Sequence, residues 1–147
     1  MSEFRIVERV PTADEYARMR AVVGWNEVDP QGIARGLHNA LFSLCLLDDD
    51  DVIGCARIVG DDGLYFYIQD VIVLPEYQGQ GLGRRLMDRV MAYIEQHAKP
   101  GAFIGLMAAK DVAPFYHKYG FAERPVAQPG MYRMWEGKGE CGTANSK

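Results

Sequence analysis

The stretch from Val71 to Arg84 constrains this chain more than any other. Val71-Ile72-Val73-Leu74 is an apolar run of strand type, and Pro75 to Gly83 is a loop carrying Gly79, Gly81 and Gly83. Leu82, Leu86, Met87, Val90, Met91 and Ile94 then recur at the spacing of one helix face. The first turn of a helix leaves backbone N–H groups unpaired and carries partial positive charge. Glycines let such a backbone approach a ligand closely, so strand, glycine loop and helix together form a cradle for an anion, most naturally a phosphate. Arg84 and Arg85 stand against the dipole at the helix start, an arrangement that a nearby phosphate would relieve. A P-loop needs Gly-Lys-Ser/Thr, and here Arg84 and Arg85 follow Gly83. A dinucleotide fingerprint needs a third glycine where this chain has Arg84.

The rest of the chain surrounds that segment with a mixed α/β order. Phe4 to Val10 reads as an opening strand. Thr12 and Glu15 form a capping-box pattern ahead of a helix with Tyr16, Met19, Val22 and Val23 on its apolar stripe, ended by Gly24. Asp29-Pro30 reads as the N-cap and first residue of a second, short helix. Phe42 to Leu47, Val52 to Val59 and Leu64 to Leu74 read as three strands. They are joined by turns at Asp48-Asp49-Asp50-Asp51 and Asp61-Asp62-Gly63. After the central helix come a strand over Ala102 to Ala108 and a short helix over Asp111 to Tyr119. Two last strands, Phe121 to Arg124 and Met131 to Trp135, follow. The strand–loop–helix–strand at the centre is a parallel crossover.

With 147 residues, the chain suits one domain, expected over 1–136, with a polar tail over 137–147 that frays. A net charge of -4 argues against a nucleic-acid partner, which needs a clustered basic face. Cys45, Cys55 and Cys141 show no metal spacing and read as two buried strand thiols and one tail thiol, with no metal site. No signal peptide or membrane-spanning run is visible, so a cytoplasmic setting is expected.

Two signatures carry a resemblance to the GCN5-related N-acetyltransferase (GNAT) family. Gln78, Gly81 and Gly83 fit the family's Gln/Arg-x-x-Gly-x-Gly/Ala loop. Phe115-Tyr116-His117-Lys118-Tyr119-Gly120-Phe121 fits its Phe-Tyr-x-Lys-x-Gly-Phe run. The resemblance covers Phe4 to Trp135. It implies the acyl-CoA N-acyltransferase fold, a central mixed sheet with a splayed strand pair and flanking helices. It also implies acetyl-CoA as cofactor, a primary amine as acceptor, and direct attack within a ternary complex. The pantetheine arm is expected along the backbone of Val71, Ile72 and Val73. The pyrophosphate is expected on the backbone N–H groups of Gln78, Gly79, Gln80, Gly81, Leu82, Gly83 and Arg84. Many members have an Asn on the cofactor arm where this chain has Ala109, so that contact is lost or replaced.

The same resemblance makes Tyr116 the acid that protonates the departing thiolate. The family's base positions fall on Tyr67 and Gln69, neither of which is a base at neutral pH, so both are expected to hold a water chain. Asp70 is the nearby carboxylate. Strand parity puts 67, 69, 71 and 73 on one face and 66, 68, 70 and 72 on the other, so Asp70 reads as structural, with a base role as the alternative. Trp25, Asn26, Tyr67 and Tyr132 are expected to line the acceptor pocket. With Glu27 and Asp29 nearby, they favour a small amine over a protein. His38, His97 and His117 read as surface or packing residues. A non-catalytic acyl-CoA sensor of the same fold is the alternative function, and a homodimer is an open assembly.

Overall fold

The computed structural model describes residues 3–137, so Cys141 and most of the polar tail lie outside the described residues. The chain forms two compact units, meeting in sequence between Met107 and Ala108.

The first unit is a five-stranded sheet with flanking helices. Its strands are β1 (Phe4–Glu8), β2 (Phe42–Asp48), β3 (Asp51–Gly60), β4 (Tyr65–Val73) and β5 (Phe103–Leu106), in that spatial order. β1 to β4 pair antiparallel, and β4 pairs parallel with β5. A parallel pair needs a crossover, and helix α3 (Leu82–His97) supplies it. Leu86, Met87 and Val90 of α3 are fully buried, as are Leu44, Leu46 and Ile58 of the sheet, with Phe66 nearly so. The α3 periodicity thus follows the sequence expectation.

Helix α1 (Ala13–Val22) carries the full capping box. Thr12 Oγ accepts from the Glu15 N–H at 3.1 Å, and the Glu15 carboxylate accepts from the Thr12 N–H at 2.9 Å. Helix α2 (Pro30–His38) starts on Asp29, whose Oδ1 accepts from the Gln31 N–H at 2.8 Å. That carboxylate is therefore an N-cap, which ties it to the helix. Asp48 pairs with Asp51 around a two-residue hairpin with Asp49 at φ 54°, so the acidic run is a turn. Asp61 accepts three backbone N–H groups, from Gly63, Leu64 and Tyr65, and closes the next turn. No helix among the described residues is long and apolar enough to cross a membrane.

The second unit holds one short helix, α4 (Ala113–His117), and irregular chain to Gly137. The helix is shorter than expected. Asp111, at φ 65°, turns the chain just before it, and Gly120, at φ 91°, ends the turn after it. The two strands expected over Phe121 to Arg124 and Met131 to Trp135 do not form. A strand needs a ladder, and neither segment has a strand partner among the described residues. The bonds around them are local instead. Glu123 pairs with His117 at 2.8 Å, Arg124 Nε donates to the Gln128 carbonyl at 3.0 Å, and the Gln128 N–H donates to the Pro125 carbonyl at 2.9 Å.

Candidate functional site

β4 is the strand on which the candidate site is built, and it is not a regular strand. Arg57 pairs with Gln69 and Cys55 with Ile72, so Ala56 alone faces both Asp70 and Val71. This is a bulge, and Asp70 sits in it at φ 64°. Asp tolerates the left-handed region better than most residues, yet the conformation still costs roughly 1–2 kcal/mol.

The bulge moves the register against β3 by one residue, with Gln69 opposite Arg57 and Ile72 opposite Cys55. Burial along β4 still alternates as the sequence parity has it: Phe66, Ile68, Asp70 and Ile72 are buried, and Tyr67, Gln69, Val71 and Val73 are half-buried. The Asp70 carboxylate reaches the Gln69 amide, whose Nε2 donates to Oδ1 at 2.8 Å.

Asp70 has a fully buried side chain. Its Oδ2 accepts from Arg57 Nε at 2.6 Å and from Tyr16 Oη at 2.8 Å. A carboxylate surrounded by an arginine and two further donors has its charge compensated, which suits an anchor better than a base. Tyr16 Oη in turn accepts from Arg20 Nη1 at 3.1 Å. Burial, then the Asp70 charge, raises the Tyr16 phenol above its ordinary pKa, so it stays a donor. Sequence reasoning missed Tyr16, Arg20 and Arg57 as parts of the site. The available signal was Arg57, a charge inside the apolar run from Val52 to Val59, which requires a buried partner.

Just before the bulge, β4 leaves β5. The parallel ladder pairs Tyr65 to Ile68 with Phe103 to Leu106 and goes no further. Gln69 to Val73 therefore have β3 on one side and no strand partner on the other among the described residues. This opening is the splay expected from the family resemblance. At its end, a 3-10 turn over Pro75–Tyr77 leads into the glycine loop.

The loop is shaped by its own side chains. Gln78 Nε2 donates to the Val73 carbonyl at 2.8 Å, and Gln80 Nε2 to the Tyr77 carbonyl at 3.3 Å. Gly79 and Gly81 stand at φ 83° and 80°, and Gly81 is the N-cap of α3 with no side chain to cap it. A Cβ built on either glycine would meet no atom within 4 Å. The glycines are thus required for their backbone angle, and the loop face around them is open. An uncapped helix start with an open glycine face fits a pyrophosphate. Arg85 has another job, since its Nη2 donates to the Phe4 carbonyl at 3.3 Å.

A second concavity, of about 430 Å³, lies between α1, α2 and the loop joining them. Trp25, Asn26 and Glu27 line it with Ala17, Arg20 and Ile33. Arg20 holds this rim. Its Nη2 donates to the Asn26 carbonyl at 2.9 Å and to Asn26 Oδ1 at 3.2 Å, and its guanidinium lies 5.2 Å from the Trp25 ring centroid. The structure thus joins Trp25 to Asn26. Tyr67, half-buried on β4, does not line this cavity.

Tyr116 and Tyr132 belong to the second unit. Tyr116 is buried and packs edge-on against Phe115 and Phe121, at centroid distances of 5.1 and 6.4 Å. Burial raises its pKa above the ordinary phenol value, so the hydroxyl keeps its proton at neutral pH. Tyr132 is about half exposed. Ala109 is exposed, and its carbonyl accepts from the Val112 N–H at 3.1 Å.

A mixed sheet that opens beside its fourth strand onto an uncapped, glycine-led helix is an acetyltransferase architecture. The family described as "Acetyltransferase (GNAT) domain" matches residues 38–123, more than half of the chain. The "Uncharacterized N-acetyltransferase ycf52" of Porphyra purpurea is 31% identical over 114 residues, 75% of this chain and 64% of that protein. The chain therefore spans just under two thirds of that relative's length. "Serotonin N-acetyltransferase 2, chloroplastic" of Oryza sativa subsp. japonica is 39% identical over 79 residues, 54% of this chain and 38% of that protein. A crystal structure of protein SA2161 from meticillin-resistant Staphylococcus aureus, titled a probable acetyltransferase, superposes with a TM-score of 0.86 at 32% identity. It covers 90% of this chain and 100% of that one. The chain belongs to the GNAT acetyltransferase family.

The buried Asp70 makes one measurable demand. Asp70→Ala leaves Arg57 with an uncompensated, largely buried charge, and should lower the unfolding free energy by about 3–5 kcal/mol. Urea denaturation followed by circular dichroism measures this. A loss under 1 kcal/mol would show that the pair contributes little.

Proposed function

We propose that this protein transfers an acetyl group from acetyl-CoA to the amine of a small molecule. The observation that carries the proposal is the open glycine face at the uncapped start of α3, directly beyond the unpaired edge of Gln69 to Val73. Members of the family use acetyl-CoA. Backbone N–H groups from Gln78 through Gly79, Gln80, Gly81, Leu82 and Gly83 to Arg84 would hold its pyrophosphate. The open backbone edge of Val71, Ile72 and Val73, on which Gln78 already takes the Val73 carbonyl, would pair with its pantetheine arm.

Bound acetyl-CoA supplies the thioester. The chain's own residues handle the amine and the protons. An acceptor must reach the thioester as a neutral amine, so its surplus proton has to leave. Gln69, whose Nε2 is committed to Asp70, turns the acceptor oxygen of its amide away from that carboxylate. From there it would receive an N–H of the amine or of a water, and Tyr67 would extend the water chain. Tyr116 would give its hydroxyl proton to the departing thiolate and regain one from the proton that the acylated nitrogen sheds. The carbon–nitrogen bond formed would thus replace the carbon–sulfur bond broken, and the amine's proton would end on the CoA thiol.

The acceptor class rests on the α1–α2 cavity. A volume of about 430 Å³ suits a compact ligand. Trp25 offers an aromatic wall and Glu27 and Asp14 offer negative charge for an ammonium. Arg20 already lies against the Trp25 ring, so recognition of the ammonium falls to the two carboxylates. The relative named for serotonin is consistent with an aromatic alkylamine.

Two experiments test the proposal. Acetyl-CoA at about 100 times its dissociation constant should add roughly 2.7 kcal/mol to stability, seen as a rise of about 5–10 °C in Tm. Gly81→Val should abolish that rise. No shift at millimolar acetyl-CoA would contradict the cradle. Tyr116→Phe should lower kcat about 10²–10⁴-fold with little change in acetyl-CoA affinity. Full turnover where chemistry limits the rate would assign the acid to another group.

A further inference from the structure

We infer that Asp70 is a positioning residue that ties the α1–α2 rim to β4 through Tyr16 and Arg20, setting the acceptor side of the site from beneath the sheet surface. The inference rests on the proposed use of the Trp25–Asn26 rim and of Gln69 in acceptor binding.

The bonds form one directed chain. Arg20 Nη2 donates outward to the Asn26 carbonyl and Oδ1, and its Nη1 donates inward to Tyr16 Oη. The Tyr16 hydroxyl, having accepted from Arg20, donates its single proton to Asp70 Oδ2. Asp70 accepts only, so Gln69 must present its NH₂ to Oδ1 and turn its carbonyl oxygen the other way. Arg57 fixes the carboxylate from β3, and its Nη1 also reaches the Gly36 carbonyl of α2 at 3.3 Å. One buried carboxylate therefore fixes the polarity of the Gln69 amide, the position of α1 and the far end of α2.

The side chains suit a relay better than plain packing. A buried Phe at 16 would fill the same space without a hydroxyl that must find partners. Arg20 is long enough to leave the rim for solvent, yet three of its bonds hold it between Tyr16 and Asn26. Its guanidinium also stacks near both the Tyr16 and Trp25 rings, at 5.6 and 5.2 Å. The rim's geometry thus depends on a hydroxyl that sits on Asp70. Because Asp70 occupies a bulge at φ 64°, a change in strand pairing at that point would reach both Gln69 and the rim.

Tyr16→Phe removes the one hydroxyl that joins Arg20 to Asp70 and keeps the ring. The chain has two tryptophans, so a Trp135→Phe background leaves Trp25 as the sole reporter. In that background, Tyr16→Phe should raise acrylamide quenching of Trp25 about twofold. Val90→Ala, a core change on α3 that lowers Tm without touching the chain of bonds, should leave quenching unchanged. With serotonin as acceptor and saturating acetyl-CoA, Tyr16→Phe should raise the acceptor KM about five- to tenfold and leave acetyl-CoA affinity unchanged. Trp25→Ala should raise the same KM, and the double variant should lose less than the two changes summed. Equal quenching in Tyr16→Phe and its parent, or equal quenching gains in Tyr16→Phe and Val90→Ala, overturns the relay. So does an unchanged acceptor KM where Trp25→Ala raises it. No turnover of serotonin by the parent, with quenching as expected, contradicts the acceptor assignment and leaves the relay standing.

Discussion

The ion pair between Asp70 and Arg57 is the contact on which the rest of the first unit depends. A left-handed Asp inside a strand is unfavourable unless its carboxylate is well satisfied, and Arg57, Tyr16 and Gln69 satisfy it. With those bonds in place the bulge is tolerated. The bulge shifts the pairing of β4 with β3 by one residue, and it falls just past the end of the parallel ladder to β5. Strand irregularity and sheet opening thus meet at one position. The opening exposes backbone groups of Gln69 to Val73 that a regular, fully paired strand would hide.

The glycine loop completes what the opening begins. Gln78 folds back onto Val73, and Gln80 onto Tyr77, so the side chains brace the loop and leave its backbone to face outward. Gly81 caps α3 in the left-handed region, which lets the helix start without a side chain over its first N–H groups. Strand edge and helix start are consecutive in sequence, and one cofactor arm and its phosphates are consecutive in the same way. This correspondence supports acetyl-CoA more strongly than any single side chain does.

Much of this was legible in the sequence, for reasons local to each segment. Thr12 with Glu15 and Asp29 with Pro30 mark helix starts because capping needs only residues three or fewer apart. The glycine loop was legible because positive φ at Gly79 and Gly81 demands a residue without Cβ. The bulge was not legible, because an Asp at positive φ leaves no mark in hydrophobic period and parity arguments assume a regular strand. The relay was hidden for a related reason: Asp70 finds Tyr16 at a separation of 54 residues, which no local pattern encodes. The strands expected over Phe121 to Arg124 and Met131 to Trp135 failed because alternation describes a face, while a strand also needs a neighbour to ladder with, and neither segment has one among the described residues.

Acetylation of a compact amine is the activity proposed for this protein. Release of free CoA thiol from acetyl-CoA measures it directly, with serotonin, spermidine and a Lys-bearing peptide supplied at equal concentration. Thiol release is expected, with kcat/KM for one of the small amines at least tenfold above that for the peptide. Tenfold preference for the peptide would contradict the proposed small-amine acceptor, and no release above background with any amine would contradict the activity itself.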